Sequence, residues 1–183
     1  MSSARVPFSA YEQRIDAIRA RHPEMPRTTV VRIRLLYHAL RLLADDLEQF
    51  FAGHGISASG WAALMMIYSA PSARANPSLL SADLVQSRTH MTRIADELAD
   101  KGLVRREANA LDRRRVDLVL TARGQRLIRR LLPLSWQHYE SLLGGFDDAE
   151  ARALERLMRK LGARLSAFDD SRPAATRAPG AQA

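Results

Sequence analysis

The sequence SRTHMTRIADELADKG, at residues 87–102, decides the fold of this chain because it describes one helix with two unlike faces and defined ends. Its apolar residues recur at the helical spacing i, i+3, i+4 and i+7, at Met91, Ile94, Ala95 and Leu98. Ser87 is a common N-cap residue, and Gly102 is a residue that commonly ends a helix. The stretch therefore predicts an amphipathic helix from Ser87 to Gly102.

The polar face of this predicted helix carries hydroxyls and arginine in its first two turns. Thr89 and Arg93 lie opposite the apolar face at about 100° per residue, and Thr92 flanks them. The acidic residues come later in the helix, at Asp96, Glu97 and Asp100. This polarity is typical of a helix whose N-terminal half enters the electronegative groove of DNA.

A two-stranded hairpin is predicted directly after the helix. Residues 103–106 (LVRR) form a short strand, and in residues 116–120 Val116, Leu118 and Leu120 alternate with Asp117 and Val119. The loop NALDRRR, at residues 109–115, places three arginines between the strands. A helix followed by a hairpin with a basic tip is the outline of a winged helix-turn-helix.

This stretch resembles the MarR family of bacterial transcription regulators. The motifs that carry the resemblance are Ser87-Arg88 followed by Thr92-Arg93, the run KGLVRR at 101–106, and Asp112-Arg113-Arg114 leading to Leu120-Thr121 and Gly124. The resemblance implies a mainly α fold: a winged helix-turn-helix with long dimerisation helices and one small β-hairpin wing. It also implies double-stranded DNA as the partner.

The remaining sequence divides into segments on either side of this predicted helix and hairpin. We predict an N-terminal arm with a short helix at 1–27, dimerisation helices at 28–56 and 122–168, a winged helix-turn-helix lobe at 57–121, and a disordered tail at 169–183. The flanking helices are more apolar than one small lobe needs. We therefore expect an obligate homodimer that reads two half-sites of a palindromic operator, with a larger monomeric bundle as the alternative.

Helix ends and breaks can also be predicted from local signals. Thr28 or Thr29 is expected to cap the first long helix, and Thr121 the second, which Pro133 should kink without ending. Asp147 should start the last helix, with Glu150 three residues on as its capping-box partner. Within the lobe, a loop at 71–78 should precede the first helix of the helix-turn-helix at 79–86, with its leucines at 80 and 84 buried. Residues 1–8 lack periodicity and are expected to be mobile.

Composition narrows the class of protein. The chain has 183 residues, of which 46% are hydrophobic, enough for a sizeable core. It has no cysteine, which excludes a thiol sensor and a Cys-ligated metal site. It lacks an apolar leader and any run of roughly 18 apolar residues, so we expect a cytoplasmic protein with no membrane partner.

The charge balance favours an anionic partner. The formal net charge is +8, and residues 81–130 hold twelve Lys/Arg against seven Asp/Glu. More than half of the excess therefore lies beside the predicted reading helix, although a solvated basic surface is the alternative interpretation.

The candidate DNA contacts lie on the helix and at the wing. They are Ser87, Arg88, Thr89, His90, Thr92 and Arg93 in the helix, and Arg113, Arg114 and Arg115 in the wing. Arginine pairs bidentately with guanine, so Arg93 is the candidate base reader. Arg114 is expected to enter the minor groove. Asp112 is expected to hold an arginine side chain, as the wing aspartate of the family does.

Catalysis is not expected. The five histidines are scattered and share no metal-ligand spacing, and no Gly-rich phosphate loop, nucleophile elbow or carboxylate pair is recognisable. We therefore predict no cofactor and no metal.

The resemblance extends to the EmrR/MprA branch of the family, the repressors of multidrug efflux, and there also includes Arg21-His22 and Leu132-Pro133. It implies release from the operator by a small aromatic or weak-acid effector. The candidate ligand-binding residues are Tyr37, His38, Trp61, Met65 and Tyr68, which plain core packing would explain equally. A ligand-independent DNA-binding regulator and a winged-helix protein-interaction module are the other functions considered.

Overall fold

The computed structural model describes residues 7–84, 87–109, 112 and 115–170. The helices are α1 (Phe8–Arg21), α2 (Arg27–Gly53), α3 (Ala58–Ser69), α4 (Pro77–Asp83), α5 (Arg88–Asp100), α6 (Ala122–Leu143) and α7 (Asp148–Asp170). The strands are β1 (Arg74–Ala75), β2 (Val104–Ala108) and β3 (Val116–Leu120). The chain divides into two compact units, residues 1–58 and 59–183. The predicted mainly α winged-helix fold is confirmed.

In the first unit, α1 packs against α2. The His38 ring packs against the rings of Phe8 and Tyr11, with centroids 5.5 and 5.7 Å away. Arg27 at the start of α2 donates two hydrogen bonds to the Asp16 carboxylate of α1, one of them at 3.0 Å. These bonds lower the pKa of Asp16. An aromatic contact and an ion pair thus join the two helices.

Two predicted features of this unit are wrong. α2 begins at Arg27 rather than after a threonine cap, because the Pro26 carbonyl already accepts the Val30 N–H at 3.1 Å. The first helix begins at Phe8, a residue predicted to be mobile, because its ring packs on Tyr11 and His38. Residues 1–6 lie outside the described residues.

The second unit contains a three-stranded antiparallel sheet in the order β1-β3-β2. Its core lies on α3, α5, the sheet and α6, with Leu64, Leu98, Leu118 and Leu131 fully buried. The predicted two-stranded hairpin is present, with Arg106 opposite Leu118. Strand β1 was not predicted: it falls in the stretch 71–78 that composition assigns to a loop, and Arg74 pairs with Val119.

The first helix of the helix-turn-helix is shifted from its predicted position. α4 begins at Pro77, because the Asn76 side chain caps it by accepting the Ser78 N–H at 2.9 Å. Leu80 is buried as predicted, whereas Leu84 follows the helix and is half-buried. Residues 85–86 lie outside the described residues.

The start of α6 is fixed against the wing. Thr121 caps α6 as predicted by accepting the Gly124 N–H at 3.1 Å, and its hydroxyl also contacts the Gly102 carbonyl at 2.7 Å. A Cβ at position 124 would lie 2.3 Å from the Leu103 carbonyl oxygen, so only glycine fits there. The helix continues past Pro133 to Leu143, as predicted.

The last helix begins with the predicted capping box. Asp147 Oδ1 accepts the Glu150 N–H at 2.9 Å, and Glu150 Oε2 accepts the Asp147 N–H at 3.0 Å. The predicted tail at 169–183 starts too early, because α7 continues to Asp170. Residues 171–183 lie outside the described residues.

No single helix in the described ranges is long and apolar enough to cross a membrane. Only α2 and α3 counted together, across the break at residues 54–57, reach the required length and composition.

Candidate nucleic-acid interface

The N-terminus of α5 is closed by its own cap. Ser87 Oγ accepts the His90 N–H at 3.2 Å, and the Ser87 carbonyl accepts the Met91 N–H at 2.9 Å. Both bonds join residues within four positions of each other. The start of the helix therefore depends on local sequence, as its N-cap signal predicted.

The two faces of α5 differ as the periodicity predicts. The inner face is buried, at Met91, Ile94, Ala95 and Leu98. The outer face is exposed, at Arg88, Thr89, Thr92 and Arg93, and His90 beside it is half-buried. The structure thus brings the six predicted helix contacts together on the first two turns. Their contact with DNA stays a prediction.

Two side-chain bonds orient the exposed face. Thr92 Oγ1 donates to the Arg88 carbonyl at 3.0 Å, which commits its hydroxyl proton to the backbone. An Arg93 guanidinium nitrogen, Nη2, lies 3.2 Å from His90 Nδ1. Arg93 is thereby held beside the helix with other N–H donors left for a base edge or a phosphate.

The wing loop is described at Asn109, Asp112 and Arg115. Asp112 Oδ2 lies 3.4 Å from Arg115 Nε, so the wing aspartate does contact an arginine side chain. The Arg115 N–H donates to the Asp112 carbonyl at 2.9 Å. Arg113 and Arg114, the other predicted wing contacts, lie outside the described residues.

The reading helix and the wing are joined by short contacts. Arg106 on β2 donates to Asp96 on α5 at 2.5 Å. Between them, the Leu103 N–H donates to the Leu98 carbonyl at 2.9 Å. These contacts hold the basic β2 strand at the acidic half of α5, so the N-terminal half of the helix remains exposed.

A polar cluster at the base of the wing was missed by sequence reasoning. Arg74 Nη2 donates to Glu107 at 2.6 Å, and its Nη1 lies 3.6 Å from Asp117 Oδ2. Val116, Leu118 and Leu120 were predicted to alternate with Asp117 and Val119, but Asp117 is 3% exposed and Val116 is 44% exposed. Asp117 lies opposite Glu107 on β2 and contacts the side chains of Arg74 and Asn109, so these neighbours cover it. An isolated acidic residue in an apolar strand was the one available signal.

The candidate ligand-binding residues belong to both units. In the first unit, Tyr37 is 67% exposed and His38 packs on the rings of α1. In the second, the spacing of Trp61, Met65 and Tyr68 places them on one side of α3, and exposure rises from 4% at Trp61 to 45% at Tyr68. A role for these five residues in ligand binding stays a prediction.

Comparison with known proteins agrees with this geometry. A sequence profile of the MarR family matches residues 56–116. Over 162 residues the chain is 32% identical to the transcriptional repressor MprA of Escherichia coli K12, covering 88% of this chain and 92% of that protein. The chain belongs to the MarR family.

Solved MarR-family structures share the fold. AbsC of Streptomyces coelicolor superposes with a TM-score of 0.70 at 21% identity, covering 78% of this chain and 97% of AbsC. A mutant of Escherichia coli MarR, solved in complex with operator DNA, superposes with a TM-score of 0.65 at 25% identity, covering 75% of this chain and 99% of that one. MprA and AbsC are transcription regulators rather than enzymes, and the MarR mutant was solved bound to operator DNA.

Proposed function

We propose that this protein is a transcriptional repressor that binds a palindromic operator as a homodimer and is released by a small aromatic or weak-acid ligand. The observation that carries the proposal is the exposed basic start of α5, with Thr89 and Arg93 outward, tied to the wing through Arg106 and Asp96. Helix and wing together offer one element for the major groove and one for the adjacent minor groove.

A homodimer is supported by apolar side chains that this chain alone leaves exposed. On α2, α6 and α7 they include Ile33, Leu35, Leu40, Leu43, Trp136, Leu143, Leu157, Met158 and Leu165, each at least 43% exposed. Apolar side chains that recur along exposed helix faces are typical of a protein–protein interface rather than of a monomer. Two copies related by a two-fold axis would present two reading helices to two half-sites.

Ligand response is supported by the resemblance to the EmrR/MprA branch, which implies an efflux operon under negative control. An aromatic acid would act by favouring a spacing of the two reading helices that no longer matches one turn of DNA. A cytoplasmic location follows from the proposal, since the operator must be accessible.

The proposal is tested by binding to the DNA upstream of the protein's own gene. Fluorescence anisotropy should give a dissociation constant for this duplex at least tenfold below that for a scrambled duplex, and log affinity should fall linearly with log salt. Light scattering should give the mass of a dimer. A monomer, or affinity indifferent to salt, contradicts the proposal and favours a protein-interaction module.

The ligand step needs a separate titration. Salicylate or a protonophore is followed by the fluorescence of Trp61 in a Trp136→Phe background, because the exposed Trp136 would otherwise contribute. By thermodynamic linkage, saturating operator DNA must weaken ligand binding by the same factor by which the ligand weakens DNA binding. This factor is expected to be about 5- to 150-fold. If the dissociation constant of the ligand is the same with and without DNA, the protein is a ligand-independent regulator.

A further inference from the structure

A chain of polar contacts begins on β1 and reaches the wing loop. The guanidinium of Arg74, on an edge strand, lies between the carboxylates of Glu107 on β2 and Asp117 on β3. One side chain from outside the hairpin therefore bridges both of its strands.

Asp117 connects Arg74 to the wing loop. Its side chain is 4% exposed, and the oxygen that faces Arg74, Oδ2, also accepts the Asn109 Nδ2 at 2.9 Å. A buried carboxylate is tolerated only where charge and hydrogen bonds compensate its lost hydration. Asp117 therefore keeps both the guanidinium and the amide in place.

Asn109 in turn organises the described part of the loop. Its Oδ1 accepts the Asp112 N–H at 3.0 Å, and its own N–H donates to the Arg115 carbonyl at 2.9 Å. The Arg115 N–H closes the turn on the Asp112 carbonyl at 2.9 Å. The backbone at Asp112 and Arg115 is thus bonded to the side chain and backbone of one residue, Asn109.

We infer that Arg74, Asp117 and Asn109 are positioning residues that hold the wing at Asp112 and Arg115 in its DNA-binding conformation before DNA arrives. A wing that is already ordered at Asp112 and Arg115 loses less conformational entropy on binding, so affinity is higher than for a wing that is unrestrained at these residues. The consequence for DNA rests on the proposed function, whereas the consequence for loop order does not.

The first test is Asn109→Ala, which removes both the bond to Asp117 and the acceptor for Asp112. By NMR, the backbone amides of Asp112 and Arg115 should exchange with solvent about three- to tenfold faster, while those of Leu98 and Leu118 keep their rates. Operator affinity should fall by a similar factor, with the base preference read by α5 unchanged. Unchanged exchange at Asp112 and Arg115 overturns the inference.

A charge-matched pair separates positioning from general electrostatics. Arg74→Gln and Arg105→Gln each remove one positive charge from Glu107, but Arg105 is on β2, and its described ion pair is with Glu107 alone. Arg74→Gln should speed loop exchange and weaken operator binding several-fold more than Arg105→Gln, which should leave loop exchange unchanged. Equal losses of affinity without faster exchange mean that both arginines act only as charges, and the inference fails.

The two proposals fail separately. If the wild-type protein binds no operator, the proposed function fails, while the exchange rates still decide whether Arg74 and Asn109 order the loop. If Arg74→Gln unfolds the unit by circular dichroism, Asn109→Ala, whose change lies at the loop end of the chain of contacts, decides the matter alone.

Discussion

The two parts of the candidate DNA interface, α5 and the wing, are held in place by different kinds of contact. α5 is defined by a cap at Ser87, an apolar face and a glycine end, all within sixteen consecutive residues. The wing loop depends on Arg74, which is 33 residues before Glu107 in the chain. The geometry of α5 therefore depends on its own sequence, whereas the geometry of the wing depends on contacts within the sheet.

The largest expected effect comes from truncating one side chain in the core on which α5 and the wing both pack. Leu98→Ala should lower the free energy of unfolding by about 2–5 kcal/mol, because the Leu98 side chain is fully buried on α5. Urea denaturation at fixed protomer concentration measures it. Leu79→Ala, at a leucine that is 65% exposed on α4, is the control and should change stability by less than about 0.5 kcal/mol. Equal losses would contradict the shared core.

A second substitution should disturb the contact between α6 and the wing. Gly124→Ala should destabilise by about 1–3 kcal/mol, because its Cβ would meet the Leu103 carbonyl oxygen and Leu120 Cδ1 at 2.3 and 2.6 Å. Gly162→Ala is a control of opposite sign: it lies within α7 with nothing within 4 Å, so it should stabilise by about 0.5–1 kcal/mol. Thermal melting separates the two, and a shift in the same direction for both would refute the close approach at Gly124.

The role of α5 is tested by measuring DNA binding in variants whose folding stability is unchanged. Arg93→Ala should weaken operator binding by about 1–3 kcal/mol and relax preference at one base pair, because an arginine on the exposed face reads a base. Arg126→Ala removes an equal charge from the exposed surface of α6 and should weaken operator and scrambled DNA alike. If Arg93→Ala also affects both duplexes equally, Arg93 contacts phosphate rather than a base.

The smallest expected effect lies outside both regions. Arg27 lowers the pKa of Asp16, so the pair should contribute its stability above the unfolded-state pKa of Asp, about 4, and lose it as pH falls through the lower folded-state value. Asp16→Asn should lower the melting temperature slightly near neutral pH, a small effect because the pair is exposed, and this difference from the wild type should disappear as pH falls. Thermal melts of both proteins between pH 3 and 7 measure it. An identical pH dependence in the two would exclude the pair as its source.

Much of the fold is predictable where neighbours in sequence determine the structure. The apolar face of α5, the Thr121 cap and the Asp147–Glu150 capping box are all present as predicted. The start of α2 was misplaced because the Pro26 carbonyl closes the first turn ahead of the threonines. The start of α4 was misplaced because Asn76, inside a stretch with loop composition, caps it.

The sequence by itself determined the reading helix, the hairpin and the family, because helical spacing, capping and alternation act between residues a few positions apart. Only the tertiary structure decided that Arg74–Ala75 form a third strand, since two residues show no alternation and their pairing with Val119 and Leu118 spans more than forty positions. The same pairing makes β3 a central strand and buries Asp117. A buried carboxylate needs partners, and those partners, Arg74 and Asn109, come together only when the sheet has formed.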